Sequence, residues 1–165
     1  MHAFSILQSK ILDRQSLQRK LHIWRFREQK IVFTNGCFDI VHLGHIHLLS
    51  KAAEWGDVLI VGLNSDNSVR NLKGISRPLQ DEATRASILA SLFFVTAVVL
   101  FDEATPMELI KMISPDVLVK GGDYKIETIV GADWVKQQGG SVEIIPLLEG
   151  YSTSNIEEKF KNSNR

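Results

Sequence analysis

Ile31-Val32-Phe33-Thr34-Asn35-Gly36-Cys37-Phe38-Asp39-Ile40-Val41-His42-Leu43-Gly44-His45 passes from a β-branched and aromatic stretch, through a polar turn, into the start of a helical pattern. A strand that feeds a loop opening a helix is the building unit of a parallel α/β sheet. The alternation continues downstream. Further strands are expected at 57–63, 97–101, 116–120 and 141–146, the first one being 31–35, with helices at about 43–55, 81–92, 105–113, 131–138 and 153–160. Val58-Leu59-Ile60-Val61 and Val98-Val99-Leu100-Phe101 are near-continuous apolar runs, as strands covered on both faces require. The expected fold class is therefore α/β: a doubly wound, five-stranded parallel sheet with helices on both faces. Ligands of such sheets bind at the carboxyl ends of the strands, where helix N-termini collect.

The first 29 residues differ from this pattern. Leu17, Leu21 and Trp24 recur at helical spacing, Asp13 can cap the start, and Arg14, Arg19, Lys20, Arg25 and Arg27 supply a charged exterior. Residues 1–29 are read as a helical extension lying on a main domain of residues 30–165. The chain of 165 residues has no repeat or linker calling for a second core. Its 19 Lys and Arg are cancelled by 19 Asp and Glu, against the basic excess that gripping long nucleic acid requires, so small ligands are the expected partners. Cys37 is the only cysteine, which excludes an intrachain disulfide and a C-x-x-C metal site and fits a reducing compartment. No secretory signal opens the chain, and the apolar run 88–101 is broken by Ser91 and Thr96. That run falls short of the roughly 20 residues needed to cross a bilayer. A cytoplasmic protein without membrane contact is expected.

Helix N-termini carry unpaired N–H groups and partial positive charge, so the turn before Leu43 suits a phosphate. His42 and His45, spaced across one helical turn, can point at the same oxygen atoms and donate hydrogen bonds to charge building on them. Gly44 between them is expected to let a triphosphate approach the backbone. Lys73 sits in a polar segment with Asn67, Arg70, Asn71 and Gly74, read as a mobile loop able to close over a ligand. Arg85 lies on the helix after Pro78, where it either holds a ligand or runs along a solvated face. Ser152, Thr153 and Ser154 precede the last helix and can form a second anion site. Ser154 with Glu157 equally fits a purely structural capping box. Asp123 in Lys120-Gly121-Gly122-Asp123-Tyr124 can hydrogen-bond a sugar or base, or simply belong to a tight turn. His2, His22 and His47 are expected to be peripheral or packed, and Cys37 to be a small buried residue. No group of side chains has the spacing of a metal cage.

The His42-Leu43-Gly44-His45 string resembles the nucleotidyltransferase superfamily that shares an H-x-G-H motif. Phe33–Asp39, Asn64-Ser65-Asp66, Lys73–Pro78, Val119–Tyr124 and Ser152–Ile156 extend the resemblance over about residues 30–160, most closely to adenylyltransferases that make ADP-heptose. The resemblance implies a Rossmann-like fold and transfer of AMP from ATP to a sugar 1-phosphate, with Mg²⁺ carried by substrate phosphates. By the same likeness His42, His45 and Lys73 are catalytic. Asn35, Gly36, Cys37, Phe38, Gly44, Asn64, Arg85, Gly121, Asp123, Ser152, Thr153 and Ser154 bind nucleotide and phosphate; Asp39, Arg77 and Lys120 face the acceptor, Asp39 with the metal as a second role. Similar enzymes read S-T-T where this chain has Ser152-Thr153-Ser154, which keeps a hydroxyl. A homodimer and a separate sugar kinase upstream also follow from the resemblance. The alternatives are a glycerol-3-phosphate-type cytidylyltransferase and a nucleotide-binding regulatory module without turnover.

Overall fold

The structure, a computed structural model, describes residues 2–122, 124–146, 148, 150, 151, 153 and 156. In chain order the elements are α1 (Ala3–Gln8), β1 (Ile11–Leu12), α2 (Arg14–Phe26), β2 (Ile31–Gly36), α3 (Leu43–Ala53), β3 (Val58–Asn64), α4 (Asp66–Lys73) and α5 (Glu82–Ser91). β4 (Ala97–Phe101), α6 (Met107–Ile113), β5 (Val117–Gly121), a 3₁₀ turn (Ile126–Thr128), α7 (Ala132–Gln137) and β6 (Ser141–Ile145) follow. All strands are parallel and form one six-stranded sheet in the order β1-β4-β3-β2-β5-β6.

The period of two along each strand divides the core into two layers. Ile31 and Phe33 of β2, Val58 and Ile60 of β3, and Leu118 of β5 face Leu17, Leu21 and Trp24 of α2 together with α6 and α7. Val32, Leu59, Val61, Val117 and Val119 face the other way, onto Leu49 and Ala52 of α3 and Ala86, Leu89 and Ala90 of α5. Both sheet faces are thus covered, which is why the strands read as continuous apolar runs.

The sheet has six strands, not the five expected. The extra one lies within the N-terminal extension: Ile11 and Leu12 pair with Val98 and Val99 of β4. Two residues are too short to show an alternating pattern, and their partner lies far along the chain. The α2 helix behind them starts as the sequence suggests, with Asp13 accepting from the Ser16 N–H at 2.7 Å. Arg25 near its end donates to both oxygens of Asp116, at 3.0 and 2.8 Å, and Asp116 accepts the Ile31 amide at 2.7 Å. That chain of bonds fastens α2 to the amino end of β2.

A second difference concerns 66–73, expected as a loop and found as α4. Ser65 caps it by accepting the Ser68 N–H at 3.0 Å, and only Val69 gives it a buried apolar anchor, too little for a helical period to be read. The helix expected at 153–160 falls largely outside the described residues, of which Thr153 and Ile156 are helical. No helix among the described residues is long and apolar enough to cross a membrane.

Candidate active site

The strand order reverses between β2 and β5, and at the carboxyl end of that crevice lies a cavity of about 660 Å³. Asn35, Gly36, Cys37, Phe38 and Asp39 form one wall, and the first turn of α3 contributes His42, Gly44 and His45. Lys73 enters from the end of α4, Lys120 and Gly121 from β5, and Thr153 from the distal segment. Gly122 and Tyr124 of the Lys120–Tyr124 motif complete the lining, together with Leu48, Ile145, Pro146 and Tyr151, which the sequence did not single out. Ile145 and Pro146 were marked only by lying at a strand's end, while Leu48, within α3, and Tyr151 carried no such signal. His47 lines a neighbouring recess of about 490 Å³ together with Lys51, Glu54 and Trp55.

His42 is the N-cap of α3: its Nδ1 accepts the Gly44 N–H at 3.1 Å. The hydrogen bond leaves the ring proton on Nε2, which is free to donate. The His45 ring stacks on it with centroids 3.9 Å apart and planes at 28°, and the Phe38 ring lies 5.1 Å from His45 on a tilted approach. Gly44 has a nearer reason than ligand approach. A Cβ there would stand 3.0 Å from Cε1 and Nδ1 of His42 and 3.0 Å from the Tyr151 carbonyl oxygen. Glycine lets the capping ring fold back and the distal segment cross the helix start. Gly121 acts in the same way beneath the cavity, where a Cβ would meet Leu48 at 2.9 Å.

Burial lowers the His42 pKa. It pushes His45 down to about 4, with His42 and the Lys73 charge acting in the same direction and the Ile40 backbone against them. Both rings are therefore neutral donors near pH 7, and a polyphosphate placed against them would favour their charged forms. The His45 shift also couples to stability. The folded state holds the neutral ring, so its contribution is complete above the ordinary histidine pKa of 6.5 and is lost as pH falls toward about 4. Unfolding free energy measured between pH 7 and 4 is expected to decline over this window, and His45→Gln to flatten that slope. An unchanged slope in the variant would refute the assignment.

Asp39 is buried, and its carboxylate is already engaged. Oδ1 accepts the Leu79 and Gln80 amides at 2.7 and 3.1 Å, and Oδ2 takes the Arg77 guanidinium at 2.7 Å. Burial pushes its pKa up, but Arg77 and the two amides outweigh that, and the net direction is down. Asp39 thus fastens the 77–80 segment to the β2–α3 turn. Arg77 is not part of the cavity lining. A carboxylate so occupied, with a guanidinium at its remaining oxygen, does not fit a metal ligand. Among the described residues no group of His, Cys, Asp and Glu could hold a metal ion.

Arg85 differs from both sequence expectations, since it neither lines the cavity nor faces solvent. It is fully buried beneath the cavity floor. Nε donates to the Gln80 carbonyl at 3.0 Å, Nη1 to those of Cys37 and Asn64 at 2.6 and 2.9 Å, and Nη2 to Asp66 Oδ1 at 2.8 Å. One turn earlier on α5, Glu82 accepts the Asp66 N–H at 2.8 Å. The pair therefore grips the N-terminus of the helix that ends in Lys73. Asn64 is likewise buried behind the wall, donating to Ser68 Oγ at 2.9 Å and accepting from the Cys37 thiol at 3.9 Å. Burial raises the Cys37 pKa, with Lys73 and Arg85 partly opposing, so the thiol stays protonated. Asp123, Ser152 and Ser154 lie outside the described residues.

Comparison with known proteins agrees with this geometry. The sequence matches the cytidylyltransferase-like family over residues 33–159. It is 56% identical over 152 residues to the bifunctional protein HldE of Syntrophotalea carbinolica, covering 92% of this chain and 31% of that protein. It is 51% identical over 154 residues to HldE of Koribacter versatilis, covering 93% and 32%. The chain thus spans about a third of the length of these curated relatives. A crystal structure of a lipopolysaccharide core biosynthesis protein from Thermoplasma volcanium superposes with a TM-score of 0.59 at 30% identity, covering 75% of this chain and 99% of that one. Pantoate-beta-alanine ligase from Francisella tularensis, solved in complex with beta-gamma ATP and beta-alanine, shares the fold at a TM-score of 0.64 and 17% identity, with 94% and 78% covered. With H-x-G-H imidazoles paired at a helix start over the crevice of a doubly wound sheet, the chain belongs to the cytidylyltransferase-like family and is a nucleotidyltransferase.

Proposed function

We propose that this nucleotidyltransferase transfers the adenylyl group of ATP to a heptose 1-phosphate, giving ADP-heptose and pyrophosphate. A phosphate oxygen of the acceptor attacks the α-phosphorus in line, the bond to the β-phosphate bridging oxygen breaks, and no covalent enzyme intermediate forms. The substrate supplies its own nucleophile, so the protein's part is positioning and charge stabilisation. The observation that carries the reading is the stacked pair of neutral imidazoles facing one cavity with Lys73 and Lys120. His42 Nε2–H and the His45 ring donate to phosphate oxygens, Lys73 follows the charge as pyrophosphate departs, and the amides at the start of α3 hold the polyphosphate.

The relatives named HldE support the choice of acceptor, and Lys73 and both histidines on the cavity wall speak against a module without turnover. Mg²⁺ belongs to this reading as an ion carried by the substrate phosphates, to which it supplies charge neutralisation. A sugar kinase upstream, a homodimer and a cytoplasmic location complete it. Pyrophosphate release should be measured with ATP and CTP against heptose 1-phosphate and glycerol 3-phosphate. Turnover with ATP and the heptose is expected; preference for CTP with glycerol 3-phosphate would replace this assignment by the cytidylyltransferase.

A further inference from the structure

Lys120 reaches across the crevice from β5 to β2, where its ammonium donates to the Asn35 side-chain oxygen at 2.6 Å and to the Asn35 carbonyl at 3.3 Å. Both acceptors are neutral. No carboxylate among the described residues pairs with it, whereas Arg77 and Arg85 each have one. Lys120 and Asn35 both line the cavity, at the point where strand order reverses. Among the described residues, a cation placed there with neutral partners lacks a counter-ion until an anion enters. We propose that Lys120 and Asn35 form a phosphate subsite in which the ligand's phosphate is the missing counter-ion, so that ligand binding and protonation of Lys120 are linked.

The environment gives the link its pH window. Burial pushes the Lys120 pKa down to about 8, with Cys37 acting weakly in the opposite direction. The cavity that Lys120 lines also presents Cys37 from the β2–α3 turn, His45 and Leu48 from α3, Lys73 from α4, Tyr124 beyond β5, and Ile145 of β6 with Pro146 after it. Among the described residues Cys37 is the titratable group that acts on the Lys120 charge, and burial raises its thiol pKa. A phosphate beside the ammonium raises the Lys120 pKa again. Above pH 8 the free site is increasingly neutral while the occupied site stays charged, so each binding event takes up a proton. Phosphorylated ligands should then bind more weakly as pH rises beyond 8. Near pH 9 neither histidine, with a lowered pKa, obscures the signal.

This inference rests on the proposed adenylyl transfer only in its choice of ligands. The test is isothermal titration of the chain with α,β-methylene ATP and, separately, with mannose 1-phosphate, at pH 7 and 9 in buffers of different ionisation enthalpy. For the ligand whose phosphate occupies the subsite, uptake of about one proton and roughly tenfold weaker binding at pH 9 are expected. The responding probe tells whether the phosphate is the nucleotide's or the acceptor's. Lys120→Met should abolish the uptake, and Lys120→Arg, charged at both pH values, should bind without it. Binding by the wild type with no uptake from any probe that binds, or the same uptake in both variants, overturns the subsite. Uptake with mannose 1-phosphate while α,β-methylene ATP fails to bind would sink the adenylyl-transfer reading and leave the subsite standing. Failure of both probes to bind overturns both.

Discussion

Replacing His42 or His45 by alanine is expected to lower turnover at least about a hundredfold, the loss typical of one transition-state donor. The rings stack 3.9 Å apart and are neutral, so each can contribute an N–H whose bond strengthens as charge collects on the phosphate oxygens. The two variants should differ in stability. His42 also caps α3 through Gly44, and losing a cap costs about 1 kcal/mol. His45→Ala removes a ring packed against Phe38 and the burial cost of its charged form, two effects of opposite sign in acid. Pyrophosphate release under saturating substrates, alongside urea unfolding, separates these effects. Wild-type-like turnover in both folded variants would remove the imidazoles from the chemistry.

What could be read beforehand follows a physical division. The β2–α3 unit, the paired histidines and the two-sided burial of the strands are encoded locally, in periods of two and 3.6 residues and in a helix start. Ile11-Leu12 carried no such period, because two residues become a strand only through Val98 and Val99 on a distant segment. The 66–73 stretch was polar enough to resemble a loop, yet Ser65 and Glu82 satisfy the amides at its start, and a capped helix results. Arg85 shows the limit most clearly. Its alanine-rich helix suggested either a ligand contact or a solvated face, but its partners lie at separations of 5, 19, 21 and 48 residues. Convergence of that kind leaves no periodic trace. Asp39 is a similar case, since the carboxylate expected at the acceptor is taken by a segment some 40 residues away.

Arg85→Ala is accordingly expected to destabilise the fold by roughly 3–5 kcal/mol, the cost of removing one partner from a buried ion pair. Because the Asp66 side chain is 22% exposed and can regain water, the lower end of that range applies. The three carbonyls of Cys37, Asn64 and Gln80 lose their donor in a place already closed to solvent. Even about 3 kcal/mol is a large share of the roughly 5–15 kcal/mol that holds a domain together. Lysine should rescue little, since a single ammonium cannot reproduce a planar fork that serves four acceptors in different directions. The measurement is urea unfolding without ligand, together with the Kd for α,β-methylene ATP. If Arg85 instead contacted nucleotide, the variant would be as stable as the wild type and fail only in binding, and that outcome would reverse the assignment. Under the bracing role stability falls first. Activity follows because the β2–α3 turn, the end of β3 and the helix carrying Lys73 no longer share an anchor, and misplacement of a charge by about 1 Å can cost on the order of a hundredfold in rate. Asp66→Asn, which keeps the shape and one acceptor oxygen, should show the same loss in milder form.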